Sequence, residues 1–223
     1  MWLFNSSIGR KVVMAVTGVA LVLFLTFHMS MNLVAIFSGE AYNMVCEFLG
    51  ANWYALVGTL GLAFLAVVHI IYAFWLTMQN RQARGNERYA VTARPKTVEW
   101  ASQNMLVLGI IVLVGLFVHF ANFWYNMQWQ DVIGGNTALS ADGAHWIQET
   151  FKQPLYVVIY IIWLVSLWFH LSHGFWSAMQ TLGWNGKIWF SRWKTIGNVY
   201  VTLLILGFVA VLVAYATGLC VAA

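Results

Sequence analysis

Five long apolar runs without Asp, Glu, Lys or Arg set the limits on what this chain can become. They cover, approximately, residues 12–37, 54–78, 105–129, 155–182 and 196–221. A hydrocarbon layer about 30 Å thick is crossed by roughly 20 apolar residues in an α-helix, so each run is long enough to span a bilayer. Backbone polar groups find no water in that layer, and a helix satisfies them internally. Of the 223 residues only 8% are charged and 61% are hydrophobic, whereas a soluble domain carries about 25% charged residues. That balance excludes a water-soluble globule, and it excludes disorder, which needs low hydrophobicity and high charge. The expected fold is an all-α membrane protein, one domain over residues 1–223 with five transmembrane helices.

The connections are too short to separate domains, and no repeat with a period of about 20–50 residues is evident. The longest outer connection, 130–154, is expected to hold a short helix near 144–151. The first run exceeds the roughly 7–15 apolar residues of a signal-peptide core and contains His28, so it reads as a span. Cys46 and Cys220 form no CxxC or CxxCH pattern, which leaves them as structural thiols rather than ligands of zinc, an iron–sulfur cluster or a c-type haem.

Placing the charges orients the spans. Ten of the eleven basic residues (Arg10, Lys11, Arg81, Arg84, Arg88, Arg94, Lys96, Lys187, Arg192 and Lys194) lie at one end of the spans, and Lys152 lies at the other. Five of the seven acids, Glu40, Glu47, Asp131, Asp142 and Glu149, share the end with Lys152. The positive-inside rule makes the basic end cytoplasmic and puts the N-terminus there. A basic excess split among three flanks of membrane spans is no footprint for nucleic acid.

Five of the six histidines, His28, His69, His119, His170 and His173, fall inside the runs; His145 falls in a connection. An ionisable residue at membrane depth is costly and marks function by default. His28 and His119 come late in outward-running spans, and His69 and His170 late in inward-running ones. At about 1.5 Å per residue the two levels are separated by roughly a third to a half of the bilayer. Two imidazole pairs on facing helices suit two haems stacked across a membrane, one axial ligand from each side of each iron. Two separated pairs do not make the four-ligand tetrahedron of structural zinc. His173, one turn from His170 on much the same helix face, is an equal candidate on spacing alone.

Other signals are less specific. Gly18, Gly58, Gly61, Gly109 and Gly115 allow close approach of a helix or a porphyrin. Trp124, Trp129, Trp184, Trp189 and Trp193 near the span ends read as an interfacial belt. Glu40 and Glu47 are the acids nearest an outer pocket between spans one and two, and so are candidate proton acceptors.

On residues 1–11 (MWLFNSSIGRK), 27–32 (FHMSMN), 69–75 (HIIYAFW), 99–104 (EWASQN) and 170–183 (HLSHGFWSAMQTLG), the chain resembles the dihaem cytochrome b membrane anchor of succinate dehydrogenase and fumarate reductase. The likeness is to the five-helix, single-polypeptide form, nearest the versions of Bacteroides-type anaerobic bacteria, and it covers essentially the whole chain. It implies that the first four helices form a haem-binding bundle with two b haems. His28 and His119 would hold the outer haem, and His69 and His170 the inner one. The ligand on the fourth helix stands four residues before a glycine, here Gly174, which selects His170 over His173. The resemblance also implies menaquinol as substrate, flavoprotein and iron–sulfur subunits on the cytoplasmic side, and a bacterial inner membrane; a dimer of complexes stays open. Glu47 falls roughly where relatives place a quinol-site acid. Lys187 and Arg94 are candidates for docking or for pairing with haem carboxylates. Trp168 stands where some relatives carry a glutamate tied to a proton path, so that path is not expected here. Two competing readings are a haem-free transporter with a histidine proton relay and a dihaem anchor serving another dehydrogenase.

Overall fold

The computed structural model describes residues 6–50, 52–85, 99–135 and 137–220. Every regular element among them is helical. Five helices are long and apolar enough to cross a membrane. These are α1 (Ser7–Phe37), α3 (Trp53–Arg84), a composite third span, α9 (Pro154–Thr181) and α10 (Lys187–Ala216). The third span begins as α5 (Met105–His119), continues as a π-helix (Phe120–Trp129) and ends in α6 (Gln130–Val132). Shorter helices fill the connections: α2 (Gly39–Leu49), α4 (Trp100–Gln103), α7 (Thr137–Ser140) and α8 (Gly143–Phe151).

Local chemistry sets the element ends. Ser6 caps α1 by accepting from Gly9 N–H at 2.9 Å, and Ser38 caps α2 by accepting from Ala41 N–H at 3.1 Å. Such caps satisfy amide donors left over in a first helical turn. Pro154 starts α9, where its missing N–H costs nothing. Gly183 (φ 88°) and Gly218 (φ 73°) turn the chain out of α9 and α10 through the left-handed region that favours glycine.

Several boundaries differ from the sequence expectation: α1 starts at Ser7 rather than near residue 12, and α3 ends at Arg84 rather than near 78. The last helix starts at Lys187 rather than near residue 196, and it ends at Ala216 rather than near 221. Apolar runs locate only the part of a helix that meets hydrocarbon. A helix keeps its backbone bonds while passing through the headgroup layer, and Lys and Arg extend their charged heads to water there. The basic residues Lys187, Arg192 and Lys194 are therefore helical, as are Arg10 and Lys11 in α1. The connection between the first two runs is mostly the helix α2, and His145 lies in α8, its N–H donating to the cap Asp142 Oδ1 at 3.0 Å. Arg88, Arg94 and Lys96 lie outside the described residues.

Packing is uneven around the bundle. α9 packs against α10, α1 and α5, while α1 packs against α3 and α10. The largest fully buried side chains, Leu204 and Val201, belong to α10. Polar links stitch it in place: Trp168 Nε1 donates to Thr202 Oγ1 at 2.9 Å, Tyr215 OH donates to the Ala35 carbonyl at 3.1 Å, and Thr26 and Tyr200 share a hydroxyl hydrogen bond. Trp168 thus joins α9 to α10. α3 turns large apolar side chains outward, with Leu60 71% and Phe64 67% exposed, a surface suited to lipid tails and costly in water. Behind α3 lies a cavity of about 2580 Å³.

Candidate functional site: two imidazole pairs in one cavity

His28 on α1 faces His119 at the end of α5, with ring centroids 5.8 Å apart and planes at 88°. His69 on α3 faces His170 on α9 at 6.5 Å and 66°. All four rings line the same cavity. Among the described residues neither α1 with α5 nor α3 with α9 is a closely packed helix pair, so each imidazole pair bridges helices whose backbones stand apart.

The levels can be measured along two helices. A Cβ on Gly18 of α1 would stand 3.3 Å from His69 Cε1, and a Cβ on Gly109 of α5 would stand 3.6 Å from His170 Cε1. Gly18 precedes His28, and Gly109 precedes His119, by the same ten residues. At 1.5 Å per residue both helices place the two imidazole levels about 15 Å apart. Gly115 serves packing instead: Trp163 occupies the space a Cβ would need, its Nε1 donating to the Val112 carbonyl at 2.9 Å. Gly58 and Gly61 have nothing within 4 Å of the Cβ position.

The donor set fits a planar metal cofactor at each level. A metal about 2 Å from one nitrogen of each ring, with each ring centre about 1 Å farther out, sets centroids roughly 6 Å apart. The cavity exceeds the roughly 300–1,000 Å³ of ordinary small-molecule pockets. His119 Nδ1, His170 Nδ1, His173 Nδ1 and Ser172 Oγ are buried with no hydrogen-bond partner, a cost of about 1–3 kcal/mol apiece. His69 Nδ1 lies 3.1 Å from Thr17 Oγ1, which leaves Nε2 for a metal, the arrangement in which a second-shell group fixes the ligand ring. Among the described residues no three or more His, Cys, Asp or Glu side chains gather as one metal cluster; the imidazoles come in twos.

His173 borders the cavity as well. Its Nδ1 lies 3.7 Å from Glu99 Oε2, just before α4. Lys194 Nζ of α10 donates to Glu99 Oε1 at 2.8 Å, and Trp176 Nε1 donates to Oε2 at 3.3 Å. Burial pushes the Glu99 carboxyl up, but the hydrogen bond and charge of Lys194 outweigh it and hold the group below the usual glutamate range. The Lys194 ammonium also stands 4.5 Å over the Trp176 ring. Glu99 therefore ties the start of the third span to α9 and α10. An acid and a lysine separated by 95 residues carry no sequence signal of such a contact. Lys187 is exposed and away from the cavity, whereas Lys11 borders it.

At the end beyond His28 and His119 the cavity is walled by α2, α3 and the π-helix. Glu47 is exposed on α2 and borders the cavity; Glu40, in the first turn of α2, does not. Asp131 also lines it, and no sequence pattern had marked that residue. Cys46 packs against Tyr42 beneath Gly143. Burial pushes its thiol up to about 11, so it stays protonated and inert. Comparison with protein-family models, curated proteins and solved structures finds no match to this chain.

Proposed function

We propose that the chain is the membrane-anchor cytochrome b of a quinol:fumarate reductase or succinate:quinone oxidoreductase. The observation that carries this reading is the pair of imidazole pairs, centroids 5.8 and 6.5 Å apart, at two levels of one cavity. His28 and His119 would hold an outer b haem, and His69 and His170 an inner one. Gly18 and Gly109 would admit the inner macrocycle beside its ligands, and Thr17 would keep the His69 ring turned toward the iron. When bound, the haems supply one-electron iron chemistry, for which the protein provides ligands, burial and placement.

The basic residues Arg10, Lys11, Arg81, Lys187, Arg192 and Lys194 collect at the end that bears the N-terminus, which supports a cytoplasmic N-terminus; the bacterial inner membrane is what the resemblance implies. That face would receive the iron–sulfur and flavoprotein subunits, and the dicarboxylate chemistry would take place there. Menaquinol would give up electrons at the opposite end, next to His28 and His119. Lys11 borders the cavity and would be available to a haem carboxylate.

A reduced-minus-oxidised absorption spectrum of the purified protein, with identification of the subunits that accompany it, tests the reading. A b-type signal together with a flavoprotein and an iron–sulfur protein is expected. A folded, colourless protein would overturn it.

A further inference from the structure

α3 carries a second, separate groove toward the basic end of the bundle. Its volume is about 500 Å³, and among the described residues its lining comes from α3 alone, between Ile70 and Gln82. Ile71, Phe74, Trp75 and Met78 form the apolar part and are exposed, while Gln79 and Gln82 form the polar end. From residue 70 to residue 82 the helix rises about 18 Å. That is close to the depth of one leaflet in a hydrocarbon layer about 30 Å thick. α3 runs toward the basic end, so the amides lie on the headgroup side and the apolar residues lie deeper.

Two arginines stand beside the polar end. Arg10 of α1 lays its guanidinium over the Trp75 ring, 4.3 Å from the centroid. That contact engages the flat face of the cation, whereas phosphate is bound by the N–H donors along its edge. Trp75 thereby seats a positive charge against the groove. The register agrees with this contact. Gly18 meets His69 across α1 and α3, and Arg10 lies eight residues before Gly18. About 12 Å of helical rise then puts Arg10 at the level of Thr77 on α3. Arg81 is exposed and follows Met78 by three residues and Phe74 by seven, on the same helix face. Acidic groups do not offset these charges: residues 1–39 and 48–86 contain no Asp or Glu. Among the described residues the acid at this end, Glu99, is engaged by Lys194.

We propose that this groove binds an anionic phospholipid of the leaflet at the basic end. One acyl chain lies along Ile71, Phe74 and Met78, and the phosphate sits between Arg10 and Arg81. Gln79 and Gln82 donate amide hydrogens to the ester and phosphate oxygens. A free phosphate uses the arginines and leaves the apolar part empty, so a lipid fits the whole groove better. A zwitterionic phospholipid brings its own ammonium, which two arginines repel; the site therefore selects a net negative headgroup. Each Lys or Arg near an anionic lipid surface contributes about fivefold in affinity. Because Arg10 belongs to α1 and the groove to α3, the bound lipid clamps these two helices at their basic ends. α1 is the chief packing partner of α3 among the described residues. The site is independent of the imidazole pairs and needs no haem.

The test uses the purified chain in detergent, with phosphatidylglycerol bearing a photoactivatable acyl chain as the probe and phosphatidylcholine with the same chain as the comparison. Retained lipid is read by native mass spectrometry, and the crosslinked residues by peptide mapping. Wild type is expected to retain phosphatidylglycerol about fivefold or more over phosphatidylcholine, with crosslinks on residues 70–82. Arg10→Gln and Arg81→Gln should each lower that retention by about fivefold, and Trp75→Leu should lower it because Arg10 loses its seat. Arg10→Lys keeps the charge without the bidentate edge and should fall between wild type and Arg10→Gln. Lys187→Gln removes the same charge from an exposed position elsewhere at this end, and should stay within about twofold of wild type. Variants are compared at matched elution volume and helical circular dichroism. Equal retention of the two lipids by wild type, crosslinks outside residues 70–82, or a Lys187→Gln loss as large as the arginine losses overturns the site. Chain-to-chain crosslinks through α3 in a lipid-free dimer would give the groove to a second copy, and overturn it as well.

Discussion

Gly18 of α1 stands against His69 of α3, its Cβ position 3.3 Å from the imidazole Cε1. That separation is already tight for an alanine, and a larger side chain would enter the cavity at the level of the His69–His170 pair. Gly18→Leu is therefore expected to lose the inner haem and keep the outer one, halving haem per polypeptide in a pyridine haemochrome assay. Gly61→Ala, with nothing within 4 Å of its Cβ position, should retain both haems. Full haem content in Gly18→Leu would show that the glycine serves helix packing alone.

Thr17, one residue earlier, holds His69 Nδ1 at 3.1 Å while its hydroxyl also reaches the Val13 carbonyl at 2.9 Å. Replacing it by valine preserves shape and removes the partner of the ring. Such outer-shell losses weaken metal sites by about 10–100-fold. Thr17→Val should release the inner haem more readily to an apo-myoglobin acceptor, and Thr17→Ser should behave as wild type. Equal transfer rates from all three proteins would count against the role assigned to Thr17.

How far could this have been read without coordinates? The apolar runs locate all five spans, because membrane crossing depends on length and hydrophobicity, which are local. The short helix near 144–151 was legible for the same reason, and α8 runs Gly143–Phe151. Which imidazoles lie side by side follows from counting along helices of known rise. The equal intervals Gly18 to His28 and Gly109 to His119 were also present in the sequence, but they acquire meaning only once each glycine is seen against a histidine of another helix. The π-helix had no signature, since Phe120–Trp129 reads as the end of the third apolar run. Asp131 and the Glu99–Lys194 contact were hidden because they depend on which connections fold back over the bundle, and spacing does not encode that.

His170 and His173 share a helix face and both border the cavity, but they face different side chains. His170 faces His69 at 6.5 Å, while His173 lies beside Glu99 at 3.7 Å and packs on Trp176 with ring centroids 4.8 Å apart. His170→Ala should lose the inner haem and His173→Ala should keep both, as read by haem content. The opposite result would move the ligand to His173.

Glu99 gives a pH signature. Its carboxyl is held below the ordinary range by Lys194 despite the opposing effect of burial. A carboxyl depressed in the folded state adds stability above its unfolded pKa and loses it as pH falls through the folded value. The side chain is 40% exposed, so solvent screening keeps the contribution at or below about 1 kcal/mol. Glu99→Gln should melt at a lower temperature than wild type near neutral pH in detergent, with the gap closing as pH is lowered into the acid range. A gap that is constant with pH would assign the effect to packing.

On the reading proposed above, two imidazole pairs hold two haems, and counting haems decides between that and a haem-free bundle. Haem per polypeptide, measured on folded, purified protein, should be two in the wild type, one in His28→Ala, one in His69→Ala and none in the double variant. A wild-type protein that folds with no haem, or single variants that keep the full complement, would contradict it.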